Sequence, residues 1–410
     1  MHPEPAAVRS RSLAAPEPSW AGGARPLLLE CLGAALAAVD ARTCVGQALS
    51  REPLPGDWRV VAVGKAAGAM TLGAREALGE RMTDAIVVTR PGHVPADVAS
   101  DERVRVIESA HPLPDGRSLA AGQAVADFVS GAPAGAQLLF LVSGGASSLV
   151  ELLADGVTLE ELQAVNSLAL GSGIGIREIN ARRRALSRIK GGGLATLAGR
   201  RRCLALMISD VPGDDPTVIG SGLLHAARGS RAGGVPAIPY RIVANVRLAC
   251  RAAARAGLAR GLEVRMAGRR FSGRAAILGS RFARAVNDAA EGSLCVWGGE
   301  SNVRLPANPG SGGRNQHLAL AAAIAMAGRS ETTLLAAGTD GVDGGTDDAG
   351  GLVDGGTCPR GLDAGLDARS CLARADSGTF LEAAGDLVHT GPTLTNVGDL
   401  VLGLKARTGA

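Results

Sequence analysis

Lysine is nearly missing from this chain: of its 43 Lys and Arg residues only Lys65, Lys190 and Lys405 are lysines. Aromatic residues are almost as scarce, at 2%, and the arginines are scattered rather than gathered into runs. Without stacking platforms or a basic stripe, a nucleic-acid partner is not expected. The net charge of +4 is small for 410 residues and gives no other strongly charged partner class support. No apolar run approaches the roughly 18 residues that a membrane span needs, and the amino terminus lacks a signal-peptide core. The seven cysteines form neither a C-x-x-C pair nor a zinc-like cluster and read as reduced thiols. A cytoplasmic protein without a membrane partner is therefore expected.

Glycine and small aliphatic residues are abundant. Gly occurs 58 times, and apolar residues make up 46% of the chain, which suits a closely packed core with many tight strand-to-helix turns. The length fits two domains. Residues 1–24 have no hydrophobic period and read as a flexible arm. From there, strand-like runs such as Trp58-Arg-Val-Val-Ala-Val, Ala85-Ile-Val-Val-Thr, Leu138-Leu-Phe-Leu-Val and Leu204-Ala-Leu-Met-Ile-Ser alternate with helical patterns. This alternation predicts an α/β fold with a mainly parallel, Rossmann-like sheet in a first domain, residues 25–235. A Gly-, Arg- and Pro-rich stretch near 228–239 reads as the linker. Residues 236–410 are expected to form a smaller α/β domain, with Leu294-Cys-Val-Trp and Ser301-Asn-Val-Arg-Leu as separate strands and a buried helix over 317–327.

Five segments run from a strand into a Gly- or Asp-rich turn. In the first, Gly64-Lys65 precedes a helix and sets an ammonium near free backbone N–H groups, an anion site, although no Walker A spacing is present. In the second, Ser143-Gly144-Gly145 with Ser147 lets a phosphate approach the backbone. The third holds Asn180, Arg183, Lys190 and Gly191; its arginines suit phosphate or carboxylate, or form a solvated basic face. The fourth puts Asp210 and Asp214 at a strand's carboxyl end, where they can hold Mg²⁺ through water or cap a turn. The fifth gathers Glu300, Arg314 and Asn315 with Asp340 and Asp343. There, a cation opening a helix invites an anion beside it, and the two aspartates read as metal-water or hydroxyl partners.

In their order these turns resemble the glycerate 2-kinases, the family whose carboxyl-terminal part is the MOFRL domain and whose members were once labelled hydroxypyruvate reductases. The resemblance rests on Gly64-Lys65-Ala66, Gly92-His93-Val94, His111-Pro112, Ser143-Gly144-Gly145, Glu178-Ile179-Asn180 with Arg183, Lys190-Gly191-Gly192, and Ser209-Asp210-Val211 with Gly213-Asp214. It continues through Gly298-Gly299-Glu300, Gly312-Gly313-Arg314-Asn315-Gln316, Thr339-Asp340-Gly341 with Asp343, and Thr395-Asn396-Val397. It implies two α/β domains facing a cleft, ATP with Mg²⁺, and phosphoryl transfer to the 2-hydroxyl of glycerate or a related hydroxy acid. Lys65 and Arg314 are then the catalytic cations. Gly64, Ser143, Gly144, Gly145, Ser147, Lys190 and Gly191 would serve the nucleotide, and Asp210, Asp214, Asp340 and Asp343 the metal. Asn180, Arg183, Glu300, Asn315, Thr395 and Asn396 would lie at or behind the substrate. The chain departs from the family pattern at Arg182, Ala185, Leu223 and His317. Two alternatives stay open: an NAD(P)H-dependent hydroxypyruvate reductase, for which the dinucleotide fingerprint is lacking, and a silent nucleotide- or sugar-acid-binding homologue. A homodimer is left open as well.

Overall fold

The computed structural model describes residues 9–11, 23–51, 54–171, 176–226 and 237–407. They form two compact units that the chain visits in turn.

The first unit, Asp40–Asn245 with Leu394–Asn396, is built on one parallel sheet. Its strands are β2 (Trp58–Val63), β3 (Met82–Thr89), β4 (Val104–Glu108), β5 (Gln137–Val142), β6 (Cys203–Ser209) and β7 (Tyr240–Asn245), in the order β4-β3-β2-β5-β6-β7. Counted within the unit this is 3-2-1-4-5-6, the doubly wound dinucleotide-type order. Helices cover such a sheet on both faces, so its strands read as continuous apolar runs. Val60, Val61, Ala62 and Val63 of β2 and Leu138 to Leu141 of β5 are buried accordingly. The winding direction reverses between β2 and β5, and at that point a parallel sheet opens a crevice beyond the strands' carboxyl ends.

The second unit comprises Met1–Val39, Val246–Thr393 and Val397–Ala410. Its sheet holds β1 (Arg9–Arg11), β8 (Glu263–Met266), β9 (Phe271–Arg274), β10 (Ser293–Asn302), β11 (Thr332–Gly338), β12 (Gly350–Asp354), β13 (Leu387–His389) and β14 (Asp399–Lys405). Pairing is mixed: β14 runs antiparallel to both β10 and β11, whereas β8 and β9 run parallel to β10. The helix Arg314–Met326 packs into this unit's core with Leu318 to Ala323 and Met326 buried, as its small apolar composition requires.

The units depart from the boundaries expected from the sequence. The helix Ala24–Ala38 belongs with the second unit, because Arg25, 6% exposed, pairs with Asp354 and with Asp386 (2.7 Å), carboxylates that are themselves buried. Strand β7 belongs with the first, pairing in parallel with β6. The expected linker falls largely on residues 227–236, which lie outside the described residues, and the chain changes units at Asn245/Val246. Within the expected arm, Arg9–Arg11 pair with β13, and the remainder up to residue 22 lies outside the described residues. The two strands expected around Leu294 and Ser301 are one, since β10 continues through Gly298-Gly299. The second unit's sheet holds eight strands and the first's six.

Candidate active site

In the first unit the turns after β2 and β5 are locked together at the reversal point. Ser143 N–H donates to Val63 O (3.0 Å), Lys65 N–H to Gly144 O (2.9 Å), and Ala66 N–H to the Ser143 hydroxyl (3.0 Å). Gly64 has φ +133°, and a Cβ there would fall on the Ser143 hydroxyl and carbonyl, so only glycine lets the two turns close. Lys65 is half-buried and stands just before the helix Ala67–Leu78. A Cβ on Gly145 would lie 3.3 Å from Lys65 Cγ and 3.2 Å from His111 Cδ2, so the lysine stem and the imidazole bound this glycine.

His93, missed as a site residue in the sequence, supports Lys65 from behind. Arg90 can only donate, so its bond to His93 Nε2 makes that nitrogen the acceptor. The proton then sits on Nδ1, which donates to the Lys65 carbonyl at 3.2 Å. The buried ring thus fixes the backbone of the lysine turn.

Asp210, at the carboxyl end of β6, lies against the same turns. A Cβ on Gly144 would land on its Oδ2, and Asn396 donates to that oxygen at 3.2 Å. Asp214 is held by Asn245 (2.7 Å) in a left-handed conformation, φ 52°. A half-buried carboxylate against a glycine turn fits hydrated Mg²⁺, which takes one or two protein carboxylates and keeps water and phosphate as its other ligands. Thr395, beside Asn396, is buried. Ser147 reaches the turn's far side, where its hydroxyl meets that of Ser221; Ser221 in turn donates to Asn180 Oδ1 (3.0 Å). Ser221 is non-glycine at φ 58°, a strained backbone of the kind that concentrates at functional sites.

Two expectations for this unit are corrected. Lys190 does not present its ammonium to a phosphate: the side chain is 0% exposed and ion-paired with the equally buried Glu151, and burial lowers its pKa despite that partner. Gly191 N–H is likewise taken, by Ser221 O (3.2 Å). Arg183, for which the sequence left phosphate, carboxylate or a solvated face open, is a half-buried guanidinium that donates to Asn166 Oδ1 (2.6 Å), and burial lowers its pKa. Its Nε finds no partner among the described residues.

In the second unit Arg314 opens the helix Arg314–Met326 and is anchored by Asp399, the first residue of β14. Nε donates to Asp399 Oδ2 (2.8 Å) and Nη2 to Oδ1 (2.9 Å), while Nη1 donates to Glu300 Oε1 (2.6 Å). Burial opposes the charge on Arg314, but Asp399 and Glu300 outweigh it and raise its pKa. Burial raises that of Asp399, against the pull of Arg314. Asp343 is corrected from metal partner to helix cap. Its carboxylate, 2% exposed, accepts from the backbone N–H of Asn315 (3.0 Å) and Gln316 (2.7 Å) and from the Asn315 amide (3.2 Å). With its oxygens so occupied it fits no metal role, and burial pushes its pKa up to about 7. Asp340 stays half-buried in its turn, accepting from Val342 N–H at 3.4 Å. Among the described residues no group of three His, Cys, Asp or Glu gathers as a metal cage. Asp399 and Glu151 were missed in the sequence. Each is an acid set in an apolar run, Asp399-Leu-Val-Leu and Leu149-Val-Glu151-Leu-Leu, and a carboxylate so placed calls for a buried cation.

A doubly wound sheet whose reversal-point turns carry a lysine and glycine backbone, followed by a second α/β unit with an anchored arginine, defines an α/β phosphotransferase. The domain of unknown function DUF4147 matches residues 27–243, and the MOFRL family matches residues 293–399. The D-glycerate 2-kinase of Thermotoga maritima is 35% identical over 84% of this chain and 90% of its own length. An Agrobacterium vitis protein with a provisional hydroxypyruvate reductase name is 38% identical over 92% of this chain and 93% of its own. The crystal structure of glycerate kinase from Thermotoga maritima superposes with a TM-score of 0.83 at 33% identity, covering 93% of this chain and 99% of that one. The chain belongs to the glycerate 2-kinase family.

Proposed function

We propose that this protein transfers the terminal phosphoryl group of ATP to the 2-hydroxyl of D-glycerate. The observation that carries this reading is the pair of locked turns at the β2/β5 reversal, where Lys65 offers positive charge and the Gly144-Gly145 backbone, without side chains, a close approach to a phosphate chain. Phosphoryl transfer asks for positioning and neutralisation rather than a strong nucleophile. Lys65 supplies a compact ammonium to the phosphoryl oxygens. Arg314, with three of its N–H groups committed to Asp399 and Glu300, presents its remaining donors to a second anionic group, the transferred phosphoryl or the glycerate carboxylate. Mg²⁺ held through Asp210 and Asp214 would neutralise charge on the nucleotide phosphates. Asn180, Ser147 and Ser221 form a hydroxyl-amide network suited to a polyhydroxy acid. The reductase reading lacks a dinucleotide fingerprint, and a silent homologue would bind ATP at this turn without consuming it. Incubated with D-glycerate, ATP and Mg²⁺, the protein should consume ATP; with hydroxypyruvate and NADH it should leave the NADH untouched. NADH oxidation without ATP consumption would reverse the reading.

A further inference from the structure

One cation, Arg314, faces three carboxylates: Asp399, Asp343 and Glu300. Two N–H donors of Arg314 remain uncommitted, but the surrounding carboxylates repel a ligand anion, and the repulsion eases if one of them gives way. Asp399 cannot, because its side chain is 0% exposed, it takes two guanidinium bonds, and it also accepts from the Asn315 amide (3.2 Å). Asp343 cannot, because it caps the helix through two backbone N–H groups. Glu300 differs from both. Its side chain is 50% exposed, and it reaches Arg314 through one oxygen at 2.6 Å with no other hydrogen-bond partner among the described residues.

Resting on the reading of Arg314 as the anion-binding cation, we propose that Glu300 is a built-in place-holder for the ligand's oxyanion. It occupies Nη1 while the site is empty and surrenders it when a carboxylate or phosphate arrives. Release is cheap because an exposed carboxylate regains its water, and exposed ion pairs contribute little. The arrangement keeps the guanidinium oriented by Asp399 throughout, so the incoming anion meets a pre-aligned donor. It also makes every anion compete with Glu300, which screens the arginine from weakly bound inorganic ions.

Calorimetric titration of the full chain, without nucleotide, with inorganic phosphate and separately with D-glycerate tests this. Glu300→Gln keeps the size and removes the charge, so one or both anions should bind roughly two- to fivefold more tightly than to wild type. A gain with phosphate marks the phosphoryl as the displacing group, and a gain with glycerate marks the carboxylate. The gain should vanish in Glu300→Gln/Arg314→Ala, and Glu300→Ala should reproduce it. Unchanged or weaker binding of both anions to Glu300→Gln, a gain that survives loss of Arg314, or a loss of Mg²⁺ binding in place of any gain overturns the proposal. Because no readout is turnover, a chain that fails to phosphorylate glycerate leaves the place-holder standing. One that phosphorylates it without the gain overturns the place-holder alone.

Discussion

A buried carboxylate is tolerable only when something nearby carries its charge, and Asp343 shows how narrow that margin is. Helix N–H groups and Arg314 favour its ionised form, yet burial outweighs them and lifts its pKa from 3.8 to about 7. Between those values the folded chain holds a proton that the unfolded chain has released. The stability contributed by this group is therefore fully present below about pH 4 and is lost as pH rises through about 7. Thermal melts of wild type and Asp343→Asn should show the wild-type advantage larger at pH 5 than at pH 8. An advantage that is constant, or larger at pH 8, would mean that Asp343 behaves as an ordinary ionised cap. At this scale the sequence was legible where chemistry is local: Lys65, Ser143 and Asp210 stand in turns whose form follows from neighbouring residues. It was not legible for Lys190 and Asp343. Their partners, Glu151 and the backbone of Asn315 and Gln316, lie far away in the chain, and only the fold brings them together.

Strands and helices were read well because period and turn chemistry are written within a few residues. Their membership was not, since the sheet a strand joins depends on pairing that no local pattern encodes. The helix Ala24–Ala38 is the clearest case: it precedes the first unit in sequence, and a network of Arg25, Asp354, Asp386 and Arg360 ties it to the second. Removing one cation leaves two buried carboxylates with Arg360 as their remaining cationic partner among the described residues. Arg25→Met should cost about 3 kcal/mol, since breaking a buried pair from one side leaves uncompensated charge. Denaturant titration would show this as a lower midpoint at unchanged slope. A loss below about 0.5 kcal/mol, the level of an exposed pair, would remove the network from the account.

Across the whole molecule, the chain leaves and re-enters each unit, crossing at Val39/Asp40, Asn245/Val246, Thr393/Leu394 and Asn396/Val397. The residues Leu394–Asn396, which supply Asn396 to Asp210, thus reach the first unit from the far end of the sequence. Function at this scale is a claim about what the locked turns deliver, and Lys65 is its centre. A charge-only role would tolerate arginine, whereas a compact ammonium on a stem packed beside Gly145 would not. The deciding measurement is ³¹P NMR of D-glycerate with ATP and Mg²⁺, run with wild type and Lys65→Arg at matched melting temperature. Wild type should yield 2-phosphoglycerate, and turnover in the variant should be lower by on the order of a hundredfold or more. No phosphorylated glycerate from wild type, or near-normal turnover in Lys65→Arg, would contradict this.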